Sequence, residues 1–217
     1  MGLDDIKGRL RAAERDAGRE AGSVTLIAVS KVQPNDRVES VLDVGHRVFG
    51  ENYVQETQAK WPDWRARFPD VSVHMIGPLQ SNKAKPAVAL FDAIHTLDRM
   101  SLARKLAQQI DEQGRSPELF VQVNTGDEPQ KAGILVDELP TFLSSCAGLG
   151  LRPQGLMCIP PEGHDPRPHF RLLRDLAADH GLPGLSMGMS ADFEIAVAEG
   201  ATHVRVGSAI FGARDYG

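Results

Sequence analysis

The chain has 217 residues, 41% of them hydrophobic, enough to bury one sizeable core and to allow one or two domains. Lysine and arginine total 24 against 29 acidic residues, a net charge of -5, and no basic run exceeds two residues, which disfavours a nucleic-acid footprint. The N-terminus from Met1 to Lys7 is too polar for a signal peptide, and no run of about 18 apolar residues is present to cross a membrane. Cys146 and Cys158 show neither CxxC spacing nor disulfide-scaffold density, and read as two reduced, buried thiols of a cytoplasmic protein.

In chain order, the first predicted element is a helix with Ile6, Leu10, Ala13 and Ala17 on one side, expected to pack outside the main sheet. Eight short apolar or β-branched runs follow, at 24–30, 47–50, 71–77, 93–97, 119–124, 154–159, 185–189 and 203–206. Helical patterns separate them. Pro34 sits where a first helical turn should begin. Over 101–113, Leu102, Leu106 and Ile110 form a stripe beside Ala103 and Ala107, and Gly114 is a stop. The stretch 159–168 reads as a rim loop after strand six, stiffened by its four prolines. After 185–189, Ser190 is expected as an N-cap, Phe193, Ala196 and Val197 as an apolar face, and Gly200 as a stop. Strict alternation of strand and helix implies a parallel sheet with helices outside, and eight units favour closure into a single (β/α)8 barrel domain over 1–217. An open doubly wound sheet is the rival, because periodicity does not report closure.

Two junctions carry the chemistry. The segments 185–190 and 202–212 each read as a strand running into a helix, so unpaired N–H groups and two helix-dipole ends converge on one volume that suits a phosphate dianion. In a barrel this is the usual phosphate site after strands seven and eight. Ser190 and Ser208 add donors, and Gly207 removes a Cβ where backbone must approach an anion; ordinary helix caps would leave the same pattern. Lys31 closes the first strand, and closure would set strand one beside strand eight. Burial or a nearby cation would expose its nucleophilic amine, whereas a solvated strand-end lysine is the plainer alternative. A phosphate cradle with a strand-end lysine points to pyridoxal 5'-phosphate held as a Schiff base.

Arg205 lies two residues before Gly207, so alternation turns it to the same side, one layer deeper. A donor-only cation there would disfavour protonation of a pyridine nitrogen and restrain carbanion chemistry; a surface strand arginine is the alternative. Asn52, after strand two, could bond a ring substituent or simply close a turn. His74, inside the third strand, reads as a hydrogen-bonded core histidine. The seven histidines include no HExxH, and no His/Cys cluster has zinc spacing, so no metal site is expected. The GxSxG string from Gly184 to Gly188 is rejected as a hydrolase elbow, because Pro183 precedes it and too little chain follows for the acid and histidine. Walker A and GxGxxG patterns are absent.

Several segments in order, Ala28-Val-Ser-Lys31, Phe49-Gly-Glu-Asn-Tyr-Val-Gln55, His74-Met-Ile-Gly-Pro-Leu-Gln-Ser-Asn-Lys83, Leu185-Ser-Met-Gly-Met-Ser190 and the run from Val204 to Arg214, resemble the pyridoxal phosphate homeostasis proteins. Gln122-Val-Asn124 with Lys131, and Gly155-Leu-Met157, also fit, and the likeness runs from residue 6 to 216. The resemblance implies a barrel like the N-terminal domain of alanine racemase, with pyridoxal 5'-phosphate on Lys31. By the same likeness Ser190, Gly207 and Ser208 hold the phosphate and Arg205 faces the pyridine nitrogen; Asn52 and Met189 are also expected among the cofactor-binding residues. Departures are small: Val32 stands where threonine is common, Thr125 and Ala132 replace the usual residues, and the loop near Pro161 is short.

The implied role is a monomeric, non-catalytic binder that helps control free cofactor and related vitamin B6 forms, with pyridoxal phosphate-dependent apoenzymes as recipients. The chain stops at Gly217, without the C-terminal β domain that gives alanine racemase its second acid/base. Two alternatives stay open: a racemase or lyase of small amino acids with Lys31 as acid/base, and a barrel that binds sugar phosphates.

Overall fold

A computed structural model describes residues 2–212; Met1 and 213–217, including Ala213 and Arg214 of the last motif, lie outside the described residues. Eight parallel strands form the framework: β1 (Thr25–Val29), β2 (Val48–Glu51), β3 (Ser72–Met75), β4 (Ala93–Leu97), β5 (Glu118–Asn124), β6 (Gly155–Met157), β7 (Gly184–Ser186) and β8 (His203–Val206). They run in the order β4-β3-β2-β1-β8-β7-β6-β5, and β5 pairs back onto β4. The sheet is therefore closed, which settles the barrel against the open doubly wound rival. A two-residue strand, Ile134–Leu135, pairs with the end of β5 outside the ring.

Each predicted run holds a strand, and the differences are at the ends. The run 185–189 stops at Ser186, because the chain peels off the sheet through Gly188 at φ 93°. Around the barrel lie α1 (Leu3–Asp16), α2 (Asn35–Asp43), α3 (Val54–Arg67), α4 (Ala84–Leu90), α5 (Met100–Gln113), α6 (Leu139–Gly148), α7 (Arg167–Asp179), α8 (Phe193–Ala198) and α9 (Ser208–Phe211). Helix α1 packs outside the ring against α8 and α9, burying Ile6 and Leu10. Pro34 is the residue just before α2, and Gly114 ends α5 in the left-handed conformation at φ 61°. None of these helices is long and apolar enough to cross a membrane, among the described residues.

The apolar core lies between ring and helices, where Phe49, Trp61, Phe91, Leu102, Phe170 and Phe193 are fully buried. The inside of the ring differs. Barrel interiors are dominated by branched aliphatics, yet here the side chains that meet across the lumen include His74, His95, Phe120, Ser186, His203 and Arg205. The His95 to Ser186 hydrogen bond joins β4 to β7, which are not neighbours in the sheet, so it must cross the interior.

Closure also depends on two glycines. Gly155 and Gly184 are register partners on β6 and β7; a Cβ on Gly155 would lie 2.3 Å from the Gly184 carbonyl oxygen, and one on Gly184 would lie 2.6 Å from Phe120. Backbone cannot yield as a flexible side chain can. Gly155→Ala is expected to destabilise the protein by about 3 kcal/mol in urea unfolding, the upper end of ordinary overpacking; an unchanged midpoint would show that this strand pair has slack.

Candidate cofactor site

Pairing of β1 with β8 places Ile27 opposite Arg205 and Ala28 opposite Val206, so the segment after β1 and the segment after β8 leave the barrel side by side. There they enclose a cavity of about 180 Å³. Lys31, Asn52, Met189, Ser190, Arg205, Gly207 and Ser208 all line it, with Val29, Ile76 and Ile159 as apolar walls. Every residue singled out from the sequence as a binding candidate is thus brought to one place.

Lys31 sits in a tight turn in which the Gln33 N–H donates to the Ser30 carbonyl at 3.1 Å. The third residue of that turn, Val32, has φ 53°, a left-handed value that a β-branched side chain rarely adopts. It is restrained: Glu56 Oε1 accepts the Val32 N–H at 2.8 Å and the Lys60 ammonium at 2.8 Å, and Lys60 also donates to the Gln33 carbonyl at 3.1 Å. A carboxylate on α3 therefore holds the turn that carries Lys31. Asn52 is fixed by close packing, since a Cβ on Gly77 would come within 2.6 Å of its backbone.

At the other end of the cavity the sequence expectation needs correction. Ser190 is not the N-cap of α8; it lies in a turn, and the residue preceding α8 is Asp192, whose Oδ1 accepts the Met189 N–H at 2.6 Å. Helices α8 and α9 have only six and four residues, so a dipole argument that needs aligned peptide units is weak here. The donors are local instead: the backbone N–H groups of Ser190, Ala191, Ser208 and Ala209 have no acceptor among the described residues, and neither serine hydroxyl has a partner there. A Cβ on Gly207 would touch Val29 at 3.4 Å, so the neighbouring protein alone only narrowly disfavours alanine at this position.

Arg205 is buried at 5% exposure, which removes the surface-arginine alternative. Its Nη1 donates to the Ser186 carbonyl at 2.8 Å and Ser186 Oγ at 2.7 Å, and Nη2 donates to the Cys158 carbonyl at 2.9 Å. The Nε–H and one Nη2 proton have no acceptor among the described residues, and Arg205 lines the cavity. Ser186 itself is fully buried and occupied by Arg205 and His95, so the GxSxG string presents no accessible nucleophile. His74 is the hydrogen-bonded core histidine expected, with Nδ1 3.0 Å from His95 Nε2 and Nε2 3.0 Å from Ser72 Oγ. Both cysteines are free and buried; burial pushes the Cys146 thiol up to about 11 and the Cys158 thiol up to about 12, which makes them inert.

Sequence reasoning missed two groups. Glu51, beside Asn52, turns back between the barrel and α3, where Oε1 accepts from Ser30 Oγ at 2.7 Å and Trp61 Nε1 at 3.0 Å. Its Oε2 is buried with no hydrogen-bond partner among the described residues, and burial raises its pKa to about 7. The partners of His74 in the lumen, His95 and His203, are the second. Burial lowers His74 to about 3 and His203 to about 4, and takes His95 well below its ordinary value. Nothing in a short apolar run distinguishes an inward from an outward histidine until the register of the barrel is known.

The family model for the N-terminal domain of alanine racemase matches residues 3–215. The pyridoxal phosphate homeostasis protein of Pseudomonas aeruginosa is 41% identical over 98% of this chain and 94% of its own length. That of Escherichia coli K12 is 39% identical over 99% and 96%. Among solved structures, PipY of Synechococcus elongatus with pyridoxal phosphate bound superposes with a TM-score of 0.84 at 41% identity, covering 95% of this chain and all of that one. The fold and cavity define a barrel of the alanine racemase N-terminal class, and within that class the chain belongs to the pyridoxal phosphate homeostasis protein family.

The buried titratable groups set a stability window. Glu51 has a folded pKa above its unfolded 4.5, so the stability it contributes is complete below 4.5 and is lost as pH rises through about 7. The lowered histidines act in the opposite sense, their contribution being present above 6.5 and lost as pH falls. Glu51→Gln should abolish an alkaline-side loss of about 3 kcal/mol between pH 5 and 8 while leaving the acid-side loss intact. Urea midpoints of both proteins across pH 4 to 9 test this, and parallel curves would contradict the assignment.

Proposed function

We propose that this chain, as one domain over 1–217, binds pyridoxal 5'-phosphate through a Schiff base on Lys31. It serves intracellular vitamin B6 homeostasis, as a cytoplasmic monomer that supplies pyridoxal phosphate-dependent apoenzymes, rather than turning over a substrate. The observation that carries it is the meeting of Lys31 with Ser190, Arg205, Gly207 and Ser208 in one cavity of about 180 Å³. The donor set fits the cofactor: unpartnered N–H and hydroxyl groups for a phosphate, a guanidinium N–H one layer deeper for a ring acceptor, apolar walls for ring faces, and an amine at the rim.

The bound cofactor supplies an electrophilic carbonyl and a conjugated ring. In forming the linkage, Lys31 Nζ adds as the neutral amine, C=N replaces C=O, and one water leaves. Ser190 and Ser208 orient the phosphate with neutral donors. Arg205 donates to the ring nitrogen and, remaining cationic, disfavours a proton there. Among the described residues that line the cavity, Lys31 and Arg205 are the titratable ones. The relatives' naming as pyridoxal phosphate homeostasis proteins favours holding the cofactor over racemase or lyase turnover.

Borohydride reduction of protein incubated with pyridoxal 5'-phosphate should leave the cofactor's mass on Lys31 by peptide mass spectrometry, and Lys31→Ala should lose it. An unmodified Lys31 at excess cofactor would overturn the assignment. Arg205→Gln should shift the visible band more than it weakens retention, whereas Ser190→Ala and Ser208→Ala should chiefly weaken retention, by about tenfold each for a lost bond to a charged group; identical behaviour of the two sets would refute the division of roles. Incubation with D- or L-alanine in heavy water should show slow or no α-proton exchange, and rapid exchange lost in Lys31→Ala would establish the enzyme instead.

A further inference from the structure

Arg205 is one end of a file of polar side chains that crosses the barrel. From Ser186 Oγ the file continues to His95 Nδ1 at 2.8 Å, from His95 Nε2 to His74 Nδ1 at 3.0 Å, and from His74 Nε2 to Ser72 Oγ at 3.0 Å. Ser186 and His95 are fully buried and His74 nearly so. Ser72 opens β3 at the opposite end of the strands from the cavity.

Two plainer accounts fall short. As an aromatic filler, His95 stacks on Phe120 at 4.3 Å and 14°, and meets His203 edge-on at 5.7 Å; a phenylalanine would do this without burying two ring nitrogens, which costs free energy unless both are bonded. A Ser-His nucleophile pair is excluded because Ser186 Oγ receives the Arg205 guanidinium at 2.7 Å and has no exposed surface.

The direction of the bonds follows from the guanidinium, which can only donate, together with the need of each buried proton for an acceptor. Ser186 Oγ accepts from Arg205, so its own proton is best placed on His95 Nδ1. His95 then carries its proton on Nε2 and donates to His74 Nδ1, and His74 carries its proton on Nε2 and donates to Ser72. Each buried donor finds an acceptor. Reversal of the whole file would leave the buried Ser186 hydroxyl proton with no acceptor among the described residues, and reversal of one link alone would set two donors or two acceptors face to face. A protonated His95 would likewise strand the Ser186 proton and place a second cation beside Arg205.

We propose that His95 and His74, through Ser186, are positioning residues for Arg205. As a one-way hydrogen-bond chain of neutral Nε2–H tautomers, they hold the guanidinium with its Nε–H turned to the cavity and so set the electronic state of the bound ring. The inference rests on Arg205 facing the ring nitrogen as proposed above, but its core, the tautomer order, belongs to the protein alone. The other charged or titratable groups acting on the file are His203, whose Nδ1 lies 2.8 Å from Thr202 Oγ1 and whose ring lies 6.2 Å from that of His74, Asp92, whose charge acts on His74, and Asp192 and Cys158, which act on Arg205.

Nitrogen-15 spectra of histidine-labelled, cofactor-free protein at pH 7 should show His74 and His95 as neutral Nε2–H tautomers. An Nδ1–H tautomer or an imidazolium at either position would overturn the proposal. In the pyridoxal 5'-phosphate-loaded protein, Ser186→Ala and His95→Leu should each shift the visible band and its pH midpoint in the direction of Arg205→Gln, and the double variant should go no further than Ser186→Ala alone. His95→Asn, which keeps an acceptor toward Ser186, should restore the wild-type band. Folded variants with unchanged bands, or additive shifts, would overturn it. If His95→Leu does not fold, Ser186→Ala against His95→Asn carries the comparison. A wild-type protein that forms no visible band would defeat the Lys31 assignment, while the tautomer measurement would still decide the chain.

Discussion

Everything functional in this barrel depends on one seam, the parallel pairing of β1 with β8. Four register pairs, from Thr25 and His203 to Ala28 and Val206, join the two ends of the sheet. Without that ladder the turn bearing Lys31 and the loop bearing Gly207 and Ser208 would stand at opposite edges of an open sheet. With it, residues separated by most of the chain become walls of one small cavity. Strands buried on both faces exchange all their backbone bonds with each other, so the seam is held as firmly as any other part of the ring.

The site is assembled from two kinds of local support. On the Lys31 side the support is tension: Val32 is kept at a positive φ by a carboxylate and an ammonium on α3, and such restraint persists only where the surroundings over-determine it. On the phosphate side the support is vacancy of bonding, with N–H and hydroxyl groups that have no acceptor among the described residues. Unsatisfied donors beside a half-buried cavity are costly unless water or a ligand meets them. In the proposed function, one side aims a nucleophile and the other receives an anion.

Between them, the lumen is polar where a barrel is ordinarily aliphatic. A buried guanidinium demands acceptors; two of them are backbone carbonyls, of Ser186 and Cys158, and the third is a serine hydroxyl that must itself donate onward. That need propagates through His95 and His74 until it ends at Ser72, closer to solvent. Half-satisfied polar networks are worse than none, so the presence of one arginine accounts for several otherwise unexpected histidines and serines. Glu51 belongs outside this network, between barrel and helix, where burial raises its pKa to about 7 and its Oε2 has no hydrogen-bond partner among the described residues.

From the sequence alone came the eight βα units, the apolar faces of α1 and α5, the lysine at the end of β1 and the serine and glycine junctions after β7 and β8, because these are written in local periodicity and turn chemistry. Arg205 could be placed inward by counting from Gly207. Closure of the ring, the shortness of α8 and α9, Asp192 rather than Ser190 ahead of α8, and the inward file of His74, His95 and Ser186 were decided only by tertiary structure. Each depends on which strands are neighbours and in what register, and those are relations between distant segments that no local pattern encodes.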